Sequence, residues 1–256
     1  MKFEDLNGRT AIITGGARGL GYSLANALAG QGANVGLVDI LPQVADSARA
    51  LAERYGIRAV GAVADVTDAA SVDAAFGEVN DALGTPSILI TAAGVTIWGD
   101  SVDVDPATWS RVVDINLTGT FFSCQAFGRR LLDSGGPGSA VLISSMSGQV
   151  VNVPQFQASY NSTKAAVNQL AKSLAVEWAG RGIRVNSIAP GYFLSDMTRQ
   201  FTEENPTLAA EWAGLIPLGR MGEPEDLNGL VLLLASEASS YLTAQTLVID
   251  GGYTAV

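Results

Sequence analysis

Seven short apolar runs, separated by helix-like patterns, constrain this chain more than any other feature. The runs cover residues 10–14, 34–39, 59–63, 87–92, 140–144, 184–189 and 246–249. Each is too short for a helix and is bounded by polar or glycine-containing turns, as strands are. Their nearly continuous apolar character suits strands covered on both faces, the condition of a parallel sheet. Helical patterns fill the intervals at 21–31, 42–55, 69–83, 106–132, 159–179 and 224–235, with Pro106 and Pro224 where a helix start tolerates proline. Such alternation predicts an α/β fold, a doubly wound parallel seven-stranded sheet with helices on both faces. The 256 residues are 48% hydrophobic and contain no linker or repeat, so one domain is expected across 1–256.

Composition removes whole classes of chemistry. The chain has no histidine, the usual proton carrier near neutral pH. A Ser-His-Asp triad, a histidine metal site and an imidazole base are therefore excluded, and no metal is expected. Acid–base work falls to Tyr, Lys or a carboxylate. A net charge of −10 disfavours nucleic acid and anionic membrane as partners. Cys124 is the only cysteine, which suits a reducing compartment. Residues 1–10 carry charges where a signal peptide needs an apolar run, and no apolar stretch approaches the roughly 18 residues of a membrane span. A cytoplasmic location is expected.

The first strand runs into T-G-G-A-R-G-L-G at residues 14–21, which opens a helix. Gly15, Gly19 and Gly21 allow a tight turn and let a pyrophosphate approach the helix N-terminus, with Arg18 and Leu20 lining the loop. The position of this loop between a strand and a helix makes it a Rossmann-like dinucleotide signature rather than a chance glycine cluster. Asp39 ends the second strand, where an acid faces the adenine ribose. A carboxylate accepts from a free 2′-OH and repels a 2′-phosphate, so NAD is the expected cofactor. Arg18 pulls toward the phosphate but stands farther from the ribose. Asp65 and Val66 are placed at the adenine edge, and Asp68 as the cap of the next helix.

Six ordered motifs complete the pattern: T-G-x-x-x-G-x-G, A-A-G ending at Gly94, Asn116 in a long helix, Ser145 after a strand, Y-x-x-x-K from Tyr160 to Lys164, and Pro190–Gly191. Together they resemble the short-chain dehydrogenase/reductase family over nearly the whole chain. The resemblance implies that Lys164 bonds the nicotinamide ribose and that Asn116 holds water in a proton relay. Ala93, Gly94, Pro190 and Gly191 would line the cofactor, Phe193 would meet the carboxamide with its backbone, and Ser195 would stand in for a threonine at the cofactor. Thr91 occupies a position that usually holds asparagine, so bonds across the sheet there must come from Thr91, backbone or water.

The acid–base pair also has a physical basis. A phenol with a pKa of about 10 is a poor base at neutral pH. A lysine ammonium within about 4 Å, at an effective dielectric of 20, favours phenolate by up to about 4 kcal/mol, or about three pKa units. The i, i+4 spacing puts both groups on one helix face. The serine has two candidates. Counting thirteen residues back from the tyrosine, as the family does, gives Ser147, whereas the strand end selects Ser145. Ser145 is preferred because the strand anchors it; Ser144 and Ser147 are then structural, with Ser147 bordering the substrate pocket.

Residues 192–222 break the strand–helix rhythm and hold Met197, Phe201, Trp212, Leu215 and Ile216. An irregular insertion of this length is expected to act as a substrate lid rather than a plain surface excursion. Asn152, Trp98, Tyr192 and Trp212 are candidate pocket residues. The S-M-S-G-Q-V-V-N-V-P-Q run and the D-G-G-Y-T ending look most like the family's galactitol and sorbitol dehydrogenases, which implies NAD-dependent oxidation of a polyol, sugar alcohol or diol to a ketone. Two alternatives are kept. A 3-oxoacyl-[acyl-carrier-protein] reductase would need a basic landing patch such as Arg129, Arg130 and Lys172. A regulator without turnover would normally have lost Tyr160 or Lys164. The resemblance also implies a homotetramer, with Leu117, Phe121, Phe122, Phe127, Leu170 and Leu174 as candidate contacts.

Overall fold

A computed structural model describes residues 2–256. The side chains of Asp196, Met197, Gln200 and Phe201 lie outside the described residues, so nothing follows for Met197 or Phe201. The strands are β1 (Thr10–Thr14), β2 (Asn34–Asp39), β3 (Ala59–Val63), β4 (Ile88–Thr91), β5 (Gly138–Ile143), β6 (Ile183–Pro190) and β7 (Thr246–Ile249). All pair in parallel in one sheet, ordered β3-β2-β1-β4-β5-β6-β7. The chain moves outward from β1 to β3, then returns to the other side of β1 as β4. The carboxyl ends of β1 and β4 therefore flank the switch point, where this class of sheet opens a ligand crevice.

Nine α-helices are present among the described residues: α1 (Gly19–Ala29), α2 (Val44–Tyr55), α3 (Ala69–Leu83), α4 (Pro106–Val113), α5 (Gly119–Ser134), α6 (Ala158–Trp178), α7 (Asp196–Glu204), α8 (Pro206–Gly214) and α9 (Asn228–Ala235). Strand alternation divides the core. Ala11 and Ile13 of β1 pack with Leu24, Leu51 and Val231 on one face, whereas Ile12 packs with Phe76, Phe127 and Val167 on the other. All of these are almost fully buried, at roughly 1.5–3 kcal/mol for each large side chain. Asp68 caps α3 by accepting from the Ala70 N–H at 2.9 Å, as expected. Asp105 caps α4 by accepting from Thr108.

Three local features differ from the sequence expectation. Residues 106–132 are not one helix: a π-helical turn at Asp114–Thr118 separates α4 from α5. The segment 192–222 is not irregular, because it contains α7 and α8, the latter begun by Pro206. Phe127 (1% exposed) and Leu174 (6%) lie inside the core and are unavailable for a subunit contact. Phe121, by contrast, is exposed, with the Phe122 ring 6.2 Å away.

Candidate active site

The glycine loop fits a pyrophosphate by its shape. Gly15 has φ +69°, and a Cβ there would lie 2.6 Å from the Ala93 backbone nitrogen, so the ends of β1 and β4 meet main chain to main chain. Gly19, at φ +61°, has no other atom within 4 Å of where its Cβ would be, leaving open space at the start of α1. Leu20 and Gly21 form the first turn of that helix. Gly21 is pressed against Gly15, since a Cβ would strike the Gly15 carbonyl. The positive end of α1 therefore faces a space a phosphate can enter.

Asp39 supports this loop directly. Its Oδ2 accepts from the Ala17 N–H at 3.0 Å and its Oδ1 from the Leu41 N–H at 3.1 Å. These bonds fix a nearly buried carboxylate at the end of β2, while Arg18 and Ile40 are exposed beside it. Asp65 accepts from both the backbone and the hydroxyl of Thr67, which shapes the turn after β3. Val66 is buried against Gly119, where a Cβ would come within 2.8 Å of its side chain. Gly191 follows Pro190 at the end of β6 and lies against Asp250. Phe193 is buried, with Gly222 beneath its ring. The Ser195 hydroxyl is paired with Thr198 at 3.0 Å, and the Thr198 hydroxyl also donates to the Phe193 carbonyl. Thr198 was not singled out from sequence, since nothing in its spacing marks it.

The chemical groups converge at the carboxyl ends of β4 and β5. The π turn presents Asn116, which is fully buried. Its Oδ1 accepts from the Val95 N–H at 2.8 Å, and its Nδ2 donates to the Val95 carbonyl at 2.9 Å and to Thr163 Oγ1 at 3.2 Å. Asn116 thus ties the loop after β4 to α6; π turns of this kind recur at functional sites. Gly94 borders the same space, with a notional Cβ 3.3 Å from Asn116 Oδ1 and 3.6 Å from Lys164 Nζ. That bare position beside a lysine suits the approach of a ribose. Together with the open loop at Gly19 and the carboxylate of Asp39, it means the residues present fit a nicotinamide dinucleotide.

Ser145 begins the turn after β5 and accepts from the Ser147 N–H at 3.1 Å. Its hydroxyl also lies close enough to Tyr160 to favour the ionised phenol. Ser144 donates to the Lys164 carbonyl, and Ser147 donates to Asn152 Oδ1 at 2.5 Å. The Ser147 hydroxyl is thus spent on Asn152, while that of Ser145 acts on Tyr160. Gly148 permits this arrangement, because a Cβ there would lie 2.7 Å from the Lys164 backbone.

Lys164 is held by the end of β5 and lies beside the Tyr160 ring. Its Nζ donates to the Ile143 carbonyl at 2.9 Å and stands 5.5 Å from the Tyr160 ring centre. Burial pushes the Tyr160 phenol up, an effect the Ser145 hydrogen bond partly offsets. Burial also lowers the Lys164 ammonium to about 8. With few counter-charges nearby, desolvation dominates both groups. The Thr91 hydroxyl is sealed without a partner among the described residues, so its links across the sheet are those of the backbone ladder with β1 and β5.

Above this centre lies a polar and aromatic wall. Asn152, only 2% exposed, donates to the Tyr192 hydroxyl at 3.2 Å. Tyr192 stacks on Trp212 of α8 at 4.6 Å, and Trp98 meets Trp212 edge-on at 6.2 Å. Gln155 and Gln157 join this wall although no motif marks them: Gln155 accepts from Tyr192, and Gln157 accepts from Thr96. Among the described residues no helix is long and apolar enough to cross a membrane, and no group of acidic or thiol ligands could hold a metal.

Comparison with known proteins agrees with this geometry. A family model described as enoyl-(acyl carrier protein) reductase matches residues 15–254. The galactitol 2-dehydrogenase (L-tagatose-forming) of Cereibacter sphaeroides is 43% identical over 249 residues, covering 97% of this chain and 96% of that one. A sorbose reductase of Candida albicans is 40% identical, covering 97% and 88%. The crystal structure of a gluconate 5-dehydrogenase from Burkholderia cenocepacia, in complex with NADP and tartrate, superposes with a TM-score of 0.92 at 33% identity, covering 99% and 98%. The chain belongs to the short-chain dehydrogenase/reductase family. It is an oxidoreductase acting on CH–OH groups, using a nicotinamide cofactor and a small-molecule substrate.

Proposed function

We propose that this enzyme oxidises a secondary alcohol of a polyol, sugar alcohol or diol to the ketone, reversibly and with NAD. The observation that carries the reading is the convergence of Ser145, Tyr160 and Lys164 beside the bare edge of Gly94. Bound NAD⁺ supplies the acceptor for the substrate hydride. Ser145 holds the substrate oxygen beside the phenol, and Tyr160, as phenolate, takes the hydroxyl proton as the carbonyl forms. Lys164 supplies positive charge on the same helix face and favours that phenolate. Asn116 keeps the loop after β4 and the start of α6 in register, so the three groups stay aligned.

Asp39 supports NAD over NADP, because a 2′-phosphate would meet a carboxylate already held by two backbone donors. Arg18 is the nearby cation that a phosphate would use, and the gluconate 5-dehydrogenase structure contains NADP. The 192–222 segment acts as a lid in this reading, since Trp212 joins Tyr192 and Trp98 over the site. The exposed Phe121 supports a homotetramer, and the single cysteine suits a reducing, cytoplasmic compartment. The carrier-protein reductase reading loses part of its basic patch, because Arg130 is paired with Asp73 at 2.8 Å. A screen of NAD⁺ and NADP⁺ reduction across polyols, diols and secondary alcohols at alkaline pH tests the proposal. Turnover confined to acyl thioesters with NADPH would overturn it.

A further inference from the structure

A directional chain of hydrogen bonds leads away from the catalytic serine and ends on an unspent amide. The Ser147 N–H donates to Ser145 Oγ, and Ser147 Oγ donates to Asn152 Oδ1. Asn152 Nδ2 donates to the Tyr192 hydroxyl, which donates to Gln155 Oε1 at 2.5 Å. Tyr192 has one proton, so the direction of each link fixes the next. At the far end, Gln155 Nε2 has no partner among the described residues, although Gln155 is only 7% exposed. That nitrogen is not among the sealed polar atoms either, so it keeps some accessible surface. Reversing both amides reverses the chain and leaves Gln155 with an unspent acceptor instead. In either orientation one polar end remains.

The neighbouring glutamine differs. Gln157 accepts from Thr96 and donates to Asn161 and Ser147, so both ends of its amide are used. Of the two glutamines in the wall, Gln155 is therefore the one with bonding capacity to spare. The Tyr192 ring that anchors it is clamped between Trp212, stacked at 4.6 Å, and Tyr253, edge-on at 5.5 Å. A nearly buried amide held in one position by an aromatic clamp is built to read a polar atom, since burial without a partner disfavours it.

Building on the alcohol oxidation proposed above, we infer that Gln155, positioned by Tyr192 and Asn152, binds a second hydroxyl of the substrate, so that the enzyme selects a vicinal diol unit over a simple secondary alcohol. Ser145 and Tyr160 hold the reacting oxygen, and Gln155 holds the adjacent one. Gln155 is a specificity residue that acts on binding, not on the proton transfer itself.

The test compares 2,3-pentanediol with 2-pentanol under saturating NAD⁺, in the wild-type enzyme and in Gln155→Leu and Gln155→Glu. The wild type is expected to favour the diol in kcat/KM by about tenfold or more, the worth of one hydrogen bond to a buried polar group. Gln155→Leu should remove most of that ratio, mainly through a higher KM for the diol. Gln155→Glu keeps the Tyr192 contact and can accept from a hydroxyl, so it should recover part of the ratio. Equal loss on both substrates in Gln155→Leu, with no recovery in Gln155→Glu, would show a structural role and overturn the inference. A wild type indifferent to the second hydroxyl would overturn it while leaving alcohol oxidation standing. Absence of turnover on any secondary alcohol would overturn both.

Discussion

Lys164 donates to the carbonyl of Ile143, at the end of β5, while its ammonium lies beside the Tyr160 ring. Lys164 is thus held by the strand that delivers Ser145, and a single hydrogen bond joins two parts of the proposed reaction centre.

This placement has a cost in stability. The folded-state pKa of Lys164 is lowered from 10.5 to about 8, so between these values the unfolded chain binds more protons. Stability from this group therefore rises with pH across that window, and the penalty is fully present below about 8. Lys164→Met should stabilise the protein at pH 7 by on the order of 3 kcal/mol, less any loss of the Ile143 contact. It should also flatten the rise in stability between pH 8 and 9.5, measured by urea denaturation. The same variant should lose nearly all turnover.

Tyr160 must be ionised to accept a proton, and burial raises its pKa. Alcohol oxidation in the wild type should therefore increase with pH through the alkaline range. Tyr160→Phe should lower kcat by about 10²–10⁴-fold and abolish that pH limb, while cofactor affinity by fluorescence titration changes little. Unchanged turnover would remove Tyr160 from the mechanism.

Two glycine substitutions should separate folding from cofactor binding. Gly15→Ala forces a methyl to within 2.6 Å of the Ala93 nitrogen at φ +69°, and should cost about 1–3 kcal/mol or more of stability. Gly94→Ala meets Asn116 Oδ1 only at 3.3 Å. It should melt near the wild-type temperature but show a raised KM for the cofactor.

Asp39→Ala removes the acceptor for the Ala17 and Leu41 N–H groups as well as the ribose contact. Affinity for NAD⁺ should fall about tenfold or more, and the kcat/KM ratio of NADP⁺ to NAD⁺ should rise. A ratio that does not move would deny Asp39 a role in choosing between the cofactors.

The strands were readable because each is a short apolar run, and four of the seven have the same limits in sequence and structure. The Tyr160–Lys164 spacing and the glycine loop were readable because local geometry alone sets them. The π turn at Asp114–Thr118 was not, since no proline or glycine lies within it and its register depends on Asn116 reaching Val95. Gln155 left no local signal either, because its importance depends on Tyr192, 37 residues away. Phe127 and Phe121 have the same apolar character in sequence, yet tertiary packing buries one and exposes the other.

Gly148 rests directly on the peptide backbone of Lys164. The serine turn and the tyrosine–lysine helix are thus spaced by main-chain atoms, which every residue type shares. Side chains around the pocket can be exchanged without altering that spacing. A chain built this way can acquire a new substrate by changing its upper wall while its proton-transfer centre keeps the same dimensions.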